Sequence, residues 1–315
     1  MTTPHIYGMF HVAGDGGSHV NLRAKGFDAL RVYVRNAVTA ARSAAAVGMN
    51  FALITNDVPT LEAVLEAEGL AGALTLRAHD FTLAVPRGIP FYSAHFKLDV
   101  LKAFASGAFG DLVALLDIDT IFQAPLALAA DALTAYDISD AVFPAYGFET
   151  IRRDLELLTA APITPRWYGG EFIAGPPAAF AALAREIDAI WPRYCAALGT
   201  LHHTGDEAVV SAALCRLAAA GVPIHEAGAA GLITRYWSVR TLSPLPSLAQ
   251  VSHAAILHLP ADKHWLSALA DALPAPAQIL PLLQRHVARR RPREFLKQLA
   301  ALARGRPLQN LPRLA

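Results

Sequence analysis

The chain has 315 residues, more than half of them apolar, and a formal net charge of +1. That length supports one large domain with a substantial core, and the neutral balance excludes a globally basic nucleic-acid binder. Cys195 and Cys215 stand in no metal-ligand spacing, which excludes a disulfide framework and leaves Cys215, inside an apolar helical pattern, as a packed thiol.

MTTPHIYGMFHV has no basic stretch and no long apolar run, and no segment of about 18 apolar residues follows. A cytoplasmic protein without a secretory signal or membrane span is the expectation. IYGMFHVA (6–13) reads as a strand and AGDGGSH as a glycine-rich loop. Residues 29–47 carry apolar residues at helical spacing, with Arg31, Arg35 and Arg42 between them, and Gly48 stops the helix. FALITND (51–57) is a second strand closing in Asn56 and Asp57, and a helix covers 59–68. LTLRAH (74–79) is a third strand, 80–93 a loop, and SAHFKLDVLKAFA (93–105) a helix. DLVALL (111–116) is a fourth strand, running into Asp117 and Asp119. Beyond it, 141–146 and 169–175 read as strands, 176–194 and 205–220 as helices, and 254–260 as a short strand entering a loop. The stretches 243–247 and 274–281, rich in proline, read as turns or linkers.

Alternating strands and helices predict an α/β fold with a mostly parallel sheet covered on both faces. Ligands of such sheets bind beyond the carboxyl ends of the strands, where Asp117 and Asp119 sit. At the bend from strand to loop the two carboxylates can converge, and their summed charge calls for a cation. Mg²⁺ and Mn²⁺ take oxygen ligands and complete their shell with substrate phosphates. A bare DxD recurs by chance about once in a chain of this length, so its weight comes from the apolar strand before it. Downstream, YGGEFIAG offers two glycines for close approach and then Glu171. HHTGDEAVV places Asp206 and Glu207 at a helix start, where acids also serve as caps. ILHLPADKHW gathers His258, Lys263, His264 and Trp265 in one loop.

In the order LLDIDTIF, GGEFIAG, TGDEAVV, HLPADKHW, residues 6–266 resemble the GT-A-fold glycosyltransferases, in particular glycosyltransferase family 8. The resemblance implies a single GT-A-like, Rossmann-like domain over 1–280; residues 281–315 read separately as a basic tail. It implies Asp117, Asp119 and His258 as ligands of Mn²⁺ or Mg²⁺, and Lys263 on the donor diphosphate. Lys97, on the helix before the DxD strand, would face the donor, with an ion pair to Asp99 as the alternative. Asn56 and Asp57 would meet the nucleoside, with a plain turn as the alternative. The chain departs from the family at Pro260-Ala261-Asp262, where a glycine is usual, and at His264, where the family often has proline. The implied activity is hexosyl transfer from a nucleotide-diphosphate sugar, a UDP-sugar for preference, to a glycan or lipid-linked acceptor, leaning towards retention. Glu171 and Asp206 are the candidate nucleophile or base, with Glu207 orienting hydroxyls beside them. Asp140 can reach sugar hydroxyls, and Trp167-Tyr168 are either an acceptor platform or core.

Three other readings compete with this one. A phosphatase of the haloacid dehalogenase type needs threonine two residues after the second aspartate, where Ile121 stands. A sugar nucleotidyltransferase needs an arginine in its N-terminal glycine loop, and AGDGGSH has none. A non-catalytic sugar-binding or scaffold protein on the same fold is the alternative of a different class.

From Arg285 to Arg313 the chain carries eight arginines and Lys297 against Glu294 alone, a local charge of +8. Phe295, Leu296, Leu299 and Leu302 are spaced for one helix face. A basic amphipathic helix of this kind suits the anionic inner face of a membrane. With the rest of the chain net acidic, nucleic acid is not an expected partner.

Overall fold

The computed structural model describes residues 3–13, 27–239 and 246–302, and only the backbone of residues 27 and 291–302. In chain order the elements are β1 (His5–Phe10), α1 (Phe27–Ala46), β2 (Phe51–Thr55), α2 (Val58–Ala67) and β3 (Thr75–Ala78). A 3-10 turn (Tyr92–Phe96) leads into α3 (Lys97–Phe104), followed by β4 (Val113–Leu116), β5 (Thr120–Phe122) and β6 (Leu133–Asp137). Then come α4 (Ser139–Tyr146), α5 (Phe148–Thr159), β7 (Tyr168–Gly175), α6 (Pro177–Ala197) and α7 (Asp206–Ala219). The chain continues through β8 (Ile224–Glu226), β9 (Ile233–Arg235), α8 (Leu248–Val251), β10 (Ile256–His258), α9 (Lys263–Leu269) and α10 (Pro276–Leu302). The glycine loop expected after β1 lies largely outside the described residues, as do the side chains of Phe295, Leu296, Leu299 and Leu302.

The fold is α/β. A seven-stranded sheet has the order β3-β2-β1-β4-β7-β6-β8, and every strand but β7 runs the same way. Period-two alternation splits each central strand between two cores. On one face Tyr7, Met9, Val113, Leu115 and Ile173 pack with α3, α5, α6 and α7. On the other Ile6, Phe10, Ala114, Leu116 and Phe172 pack with α1 and α2. Both faces are apolar, so these strands read as unbroken apolar runs. This is the Rossmann-like arrangement of a sheet flanked by helices.

A second, three-stranded sheet has the order β5-β10-β9. Its far side packs Ile121, Tyr236, Leu257 and Leu259 on Leu266 and on Ile279, Leu283 and Val287 of α10. A single helix therefore runs through residue 280, and the proline-rich stretch 274–281 is in part its first turn rather than a linker.

The apolar run 141–146 is a helix, not the expected strand. Asp137 accepts from Ser139 N at 2.9 Å and Ser139 Oγ at 2.5 Å, turning the chain at the end of β6. A short apolar run fits strand and helix equally, and here the side-chain bonds before it decide. Asp140 consequently lies exposed in the first turn of α4 rather than ahead of a strand. Similarly, the expected loop at 258–265 is interrupted, because α9 opens at Lys263.

Candidate metal centre

Asp117 and Asp119 are two residues apart, so on extended backbone their side chains share a face and Ile118 takes the other. Asp117 N still donates to Glu171 O at 3.2 Å, which prolongs the pairing of β4 with β7. Ile118 turns into the core, where Gly8 makes room for it: a Cβ on Gly8 would stand 2.7 Å from Ile118 Cγ2 and 2.7 Å from Phe51 Cζ. The small strand β10 then brings in His258, paired opposite Thr120 of β5. One ligand atom from each of Asp117, Asp119 and His258 lies within 4.8 Å of the others. His258 Nε2 is 3.6 Å from Asp117 Oδ2 and 3.4 Å from Asp119 Oδ1.

Three long cations surround the acids. Lys97 Nζ is 2.6 Å from Asp117 Oδ1 and 3.4 Å from Asp206 Oδ2, and donates to Gly170 O at 3.1 Å. Lys263 Nζ pairs with Asp119 Oδ2 and donates to Pro260 O at 3.1 Å. Arg235 grips Glu171 through Nε and Nη2, both at 2.5 Å, and reaches Glu207 Oε1 at 2.8 Å. Glu207 also accepts from Trp167 Nε1 at 3.0 Å and Gly170 N at 3.3 Å. The two glycines before Glu171 are required by this crowding. A Cβ on Gly169 would fall on the Glu171 carboxylate, and one on Gly170 would stand 2.6 Å from Asp206 Oδ2.

Electrostatics follow from burial and pairing. Burial alone would raise the Asp119 carboxyl, but Lys263 and His258 outweigh it and hold it well below the usual range. Burial likewise opposes ionisation of Glu171, and Arg235 with His258 reverse that. The His258 ring, against burial, is pushed up to about 9 by Asp119 first and Glu171 second. The Lys97 ammonium is held above its ordinary value because Asp117 and Asp206 outweigh its desolvation. Burial pushes His203 down to about 4, so it stands neutral beside the cluster.

These groups open on a cleft of about 210 Å³ at the carboxyl end of β4, walled by Tyr33, Phe91, His203, Trp237 and Pro260. Five carboxylates (117, 119, 171, 206 and 207) face the three cations 97, 235 and 263. Two negative charges are in excess before His258 is counted, which is the charge of a divalent cation. Neighbouring ligands of Mn²⁺ or Mg²⁺ stand about 3 Å apart, so the triad is open by only a few tenths of an ångström at His258. Two carboxylates and one imidazole suit a hard to borderline divalent ion. The residues fit such an ion, and nothing in the donor set distinguishes Mn²⁺ from Mg²⁺.

The other expected site residues divide. Lys97, Lys263, Asp206 and Glu207 line the same cleft. Glu171 is fully buried and is not among the described residues that line it. Asn56 and Asp57 are occupied elsewhere: Asn56 exchanges hydrogen bonds with the Val12 backbone, and Asp57 caps α2 through Thr60 N at 3.0 Å. Asp99 pairs not with Lys97 but with Thr82 N and Leu83 N, at 2.9 and 2.7 Å, and so pins the loop before α3. Trp167 and Tyr168 are buried. Cys215 is buried too, its thiol pushed up to about 11 by desolvation. Among the described residues no helix is long and apolar enough to cross a membrane.

Sequence reasoning missed Arg235, and the signal was present. An arginine inside the apolar stretch GLITRYW is rarely buried without an acid to meet it. A scan against models of known protein families gives no match, and a search of curated proteins gives none either.

Proposed function

We propose that this protein is a divalent-metal-dependent glycosyltransferase that takes a sugar from a nucleotide-diphosphate donor, and that its fold is of the GT-A type. The observation that carries the reading is the meeting of Asp117, Asp119 and His258 in one cleft with Lys263 beside them. In glycosyl transfer the bond from the anomeric carbon to the diphosphate oxygen breaks. The electron pair leaves with the diphosphate, and the acceptor hydroxyl passes its proton to the departing diphosphate oxygen as its own oxygen bonds to the sugar. Asp117, Asp119 and His258 would hold the cation, which when bound would supply Lewis-acid stabilisation of the leaving group.

The chain's own residues supply the rest. Lys263 and Lys97 bring positive charge to the diphosphate, a preorganised electrostatic contribution. Asp206 is the carboxylate nearest to hand for the sugar: it lines the cleft and pairs with Lys97 Nζ at 3.4 Å. Glu207 is spent on Trp167, Gly170 and Arg235. The acceptor we propose is a glycan or a lipid-linked glycan, consistent with a basic tail that would rest on an anionic surface.

One observation favours a second reading, a sugar-binding protein without turnover. Each metal-facing aspartate already has a lysine partner, so the cluster is neutralised in part without an ion. A thermal-shift screen of nucleotide sugars with and without Mn²⁺, followed by product analysis, separates the two. At one hundred times Kd, Mn²⁺ stabilises by about 2.7 kcal/mol, or roughly 4 °C in a chain of this size. A Mn²⁺ shift with turnover supports the transferase, and a sugar-nucleotide shift without turnover supports the binder. No response to Mn²⁺ and no sugar released from any donor would overturn the metal-dependent reading.

A further inference from the structure

We infer that Glu171 and Arg235 are positioning residues of the metal centre: Arg235 fixes Glu171, and Glu171 sets the His258 ring so that Nε2 faces Asp117 and Asp119. The inference rests on the metal-dependent reading above and assigns Glu171 away from the chemical step.

A histidine that gives one ring nitrogen to a metal needs an acceptor for the N–H of the other, and that acceptor fixes tautomer and ring orientation. His258 turns Nε2 to the two aspartates, which leaves Nδ1. That atom is buried and has no hydrogen-bond partner, and Glu171 Oε1 stands 3.4 Å from it. Glu171 cannot drift. Its side chain is fully buried, and both oxygens are held by the Arg235 guanidinium in a two-pronged pair. Arg235 is placed by the small sheet itself, since β9 and β10 run parallel with Arg235 directly opposite His258. Glu171 arrives from β7 of the large sheet. The chain Arg235–Glu171–His258 therefore joins the two sheets at the metal centre.

Gly169 belongs to the same device. A Cβ there would collide with the Glu171 carboxylate and stand 2.9 Å from Arg235 Nη2. A carboxylate with both oxygens on a guanidinium, and outside the cleft lining, is poorly placed to attack an anomeric carbon. Asp206 remains for that role.

The test uses the full-length chain and Mn²⁺ alone, with free Mn²⁺ read by electron paramagnetic resonance. Glu171→Gln should weaken Mn²⁺ about 10–100-fold, and Arg235→Lys, which keeps the charge but loses the fork, should weaken it less. Metal-free melting curves and near-ultraviolet circular dichroism identify the folded fraction. A merely structural role would lower the metal-free Tm and leave the affinity of folded protein unchanged, which overturns the inference. So does loss of turnover at unchanged Mn²⁺ affinity, which would return Glu171 to the chemistry. If Glu171→Gln fails to fold, Arg235→Lys decides by the same criterion. Asp119→Asn is the control. Wild type that binds no Mn²⁺ overturns the functional reading and this inference with it. Binding lost in Asp119→Asn but intact in Glu171→Gln overturns this inference alone.

Discussion

Two clusters of carboxylate, histidine and long cation lie side by side in this molecule, and they differ in charge balance and in access. In one, Asp117, Asp119 and His258 stand among Lys97, Lys263 and Arg235 at the cleft. In the other, Asp262, fully buried, accepts from Ser238 Oγ at 2.7 Å, from His286 Nε2 at 2.7 Å and from Arg290. Arg290 also donates to Ala261 O at 2.7 Å. The second cluster clamps α10 to the loop before α9 and has no excess of negative charge. The first has more acids than fixed cations and opens to solvent. Residue types alone do not mark a candidate metal centre; charge balance and access do. The clusters are adjacent because Asp262 and Lys263 are consecutive, so the structural clamp holds the peptide that carries a cleft lysine. The far end of α9 is held as well, by Arg35 Nε on Ser267 O at 3.0 Å and by Arg42 on Ala270 O, cations at carbonyls where the helix dipole favours them.

The largest expected effect breaks the first cluster. Asp119→Asn should abolish the Mn²⁺ thermal shift and lower turnover by about 10²–10³, and a variant that still responds to Mn²⁺ would place the ion elsewhere. Breaking the second cluster should be felt by the fold instead. Asp262→Asn weakens the hold on Arg290 and His286 and should cost about 1–3 kcal/mol in chemical denaturation, with Mn²⁺ affinity of the folded protein retained. If it also removes Mn²⁺ binding, the two clusters are one unit.

Titration sharpens the contrast. A metal ligand must be neutral imidazole, whereas His258 in the metal-free protein holds its proton up to about pH 9. Mn²⁺ affinity should therefore fall about tenfold per pH unit below 9 and level off above it, measurable by calorimetry across that range. Metal-free stability should run the other way. A folded value raised from 6.5 to about 9 contributes stabilisation that is complete below 6.5 and lost as pH rises through 9. Opposite slopes for the two measurements are the expected outcome; parallel slopes would deny His258 the ligand role.

Smaller effects remain. Gly169→Ala crowds the Glu171–Arg235 pair and should cost about 1–3 kcal/mol, with weaker Mn²⁺ binding. The least perturbing change to the site is removal of residues 303–315. A chain ending at Leu302 should keep its metal response. On our proposal that the tail meets an anionic surface, it should bind acidic vesicles less, by about 1 kcal/mol for each arginine that reaches the lipid. Cosedimentation equal to the full chain would show that Arg304, Arg306 and Arg313 do not reach the lipid. A cut at 281 cannot serve, because Leu283 and Val287 are core and Arg290 completes the clamp.

Much of this was legible along the chain. The apolar runs of β1, β2, β4 and β7 and the helices α1, α2, α6 and α7 declare themselves through period, caps and stops. Gly48, at φ +75°, ends α1 where the pattern does. The strands β6, β8 and β9 do not, because they are short and mix apolar with polar residues, and their identity comes from their neighbours in the sheet. LTAYD and IHE carry no period long enough to read. Of the site, Asp117 and Asp119 could be placed because a strand end is a local feature. Asn56 and Asp57 looked equally placed, yet their side chains answer to a loop and a helix start.

By itself, then, the sequence determined an α/β chain with two acids at the end of a buried strand, since alternation and apolar runs act over a few residues. Only the tertiary structure decided that His258 and Lys263 meet those acids, that Asp57 and Asp99 turn away, and that Arg235 takes Glu171 out of the cleft. Those outcomes depend on which strands become neighbours and on how buried charges find partners, and both are settled by residues far apart in the chain.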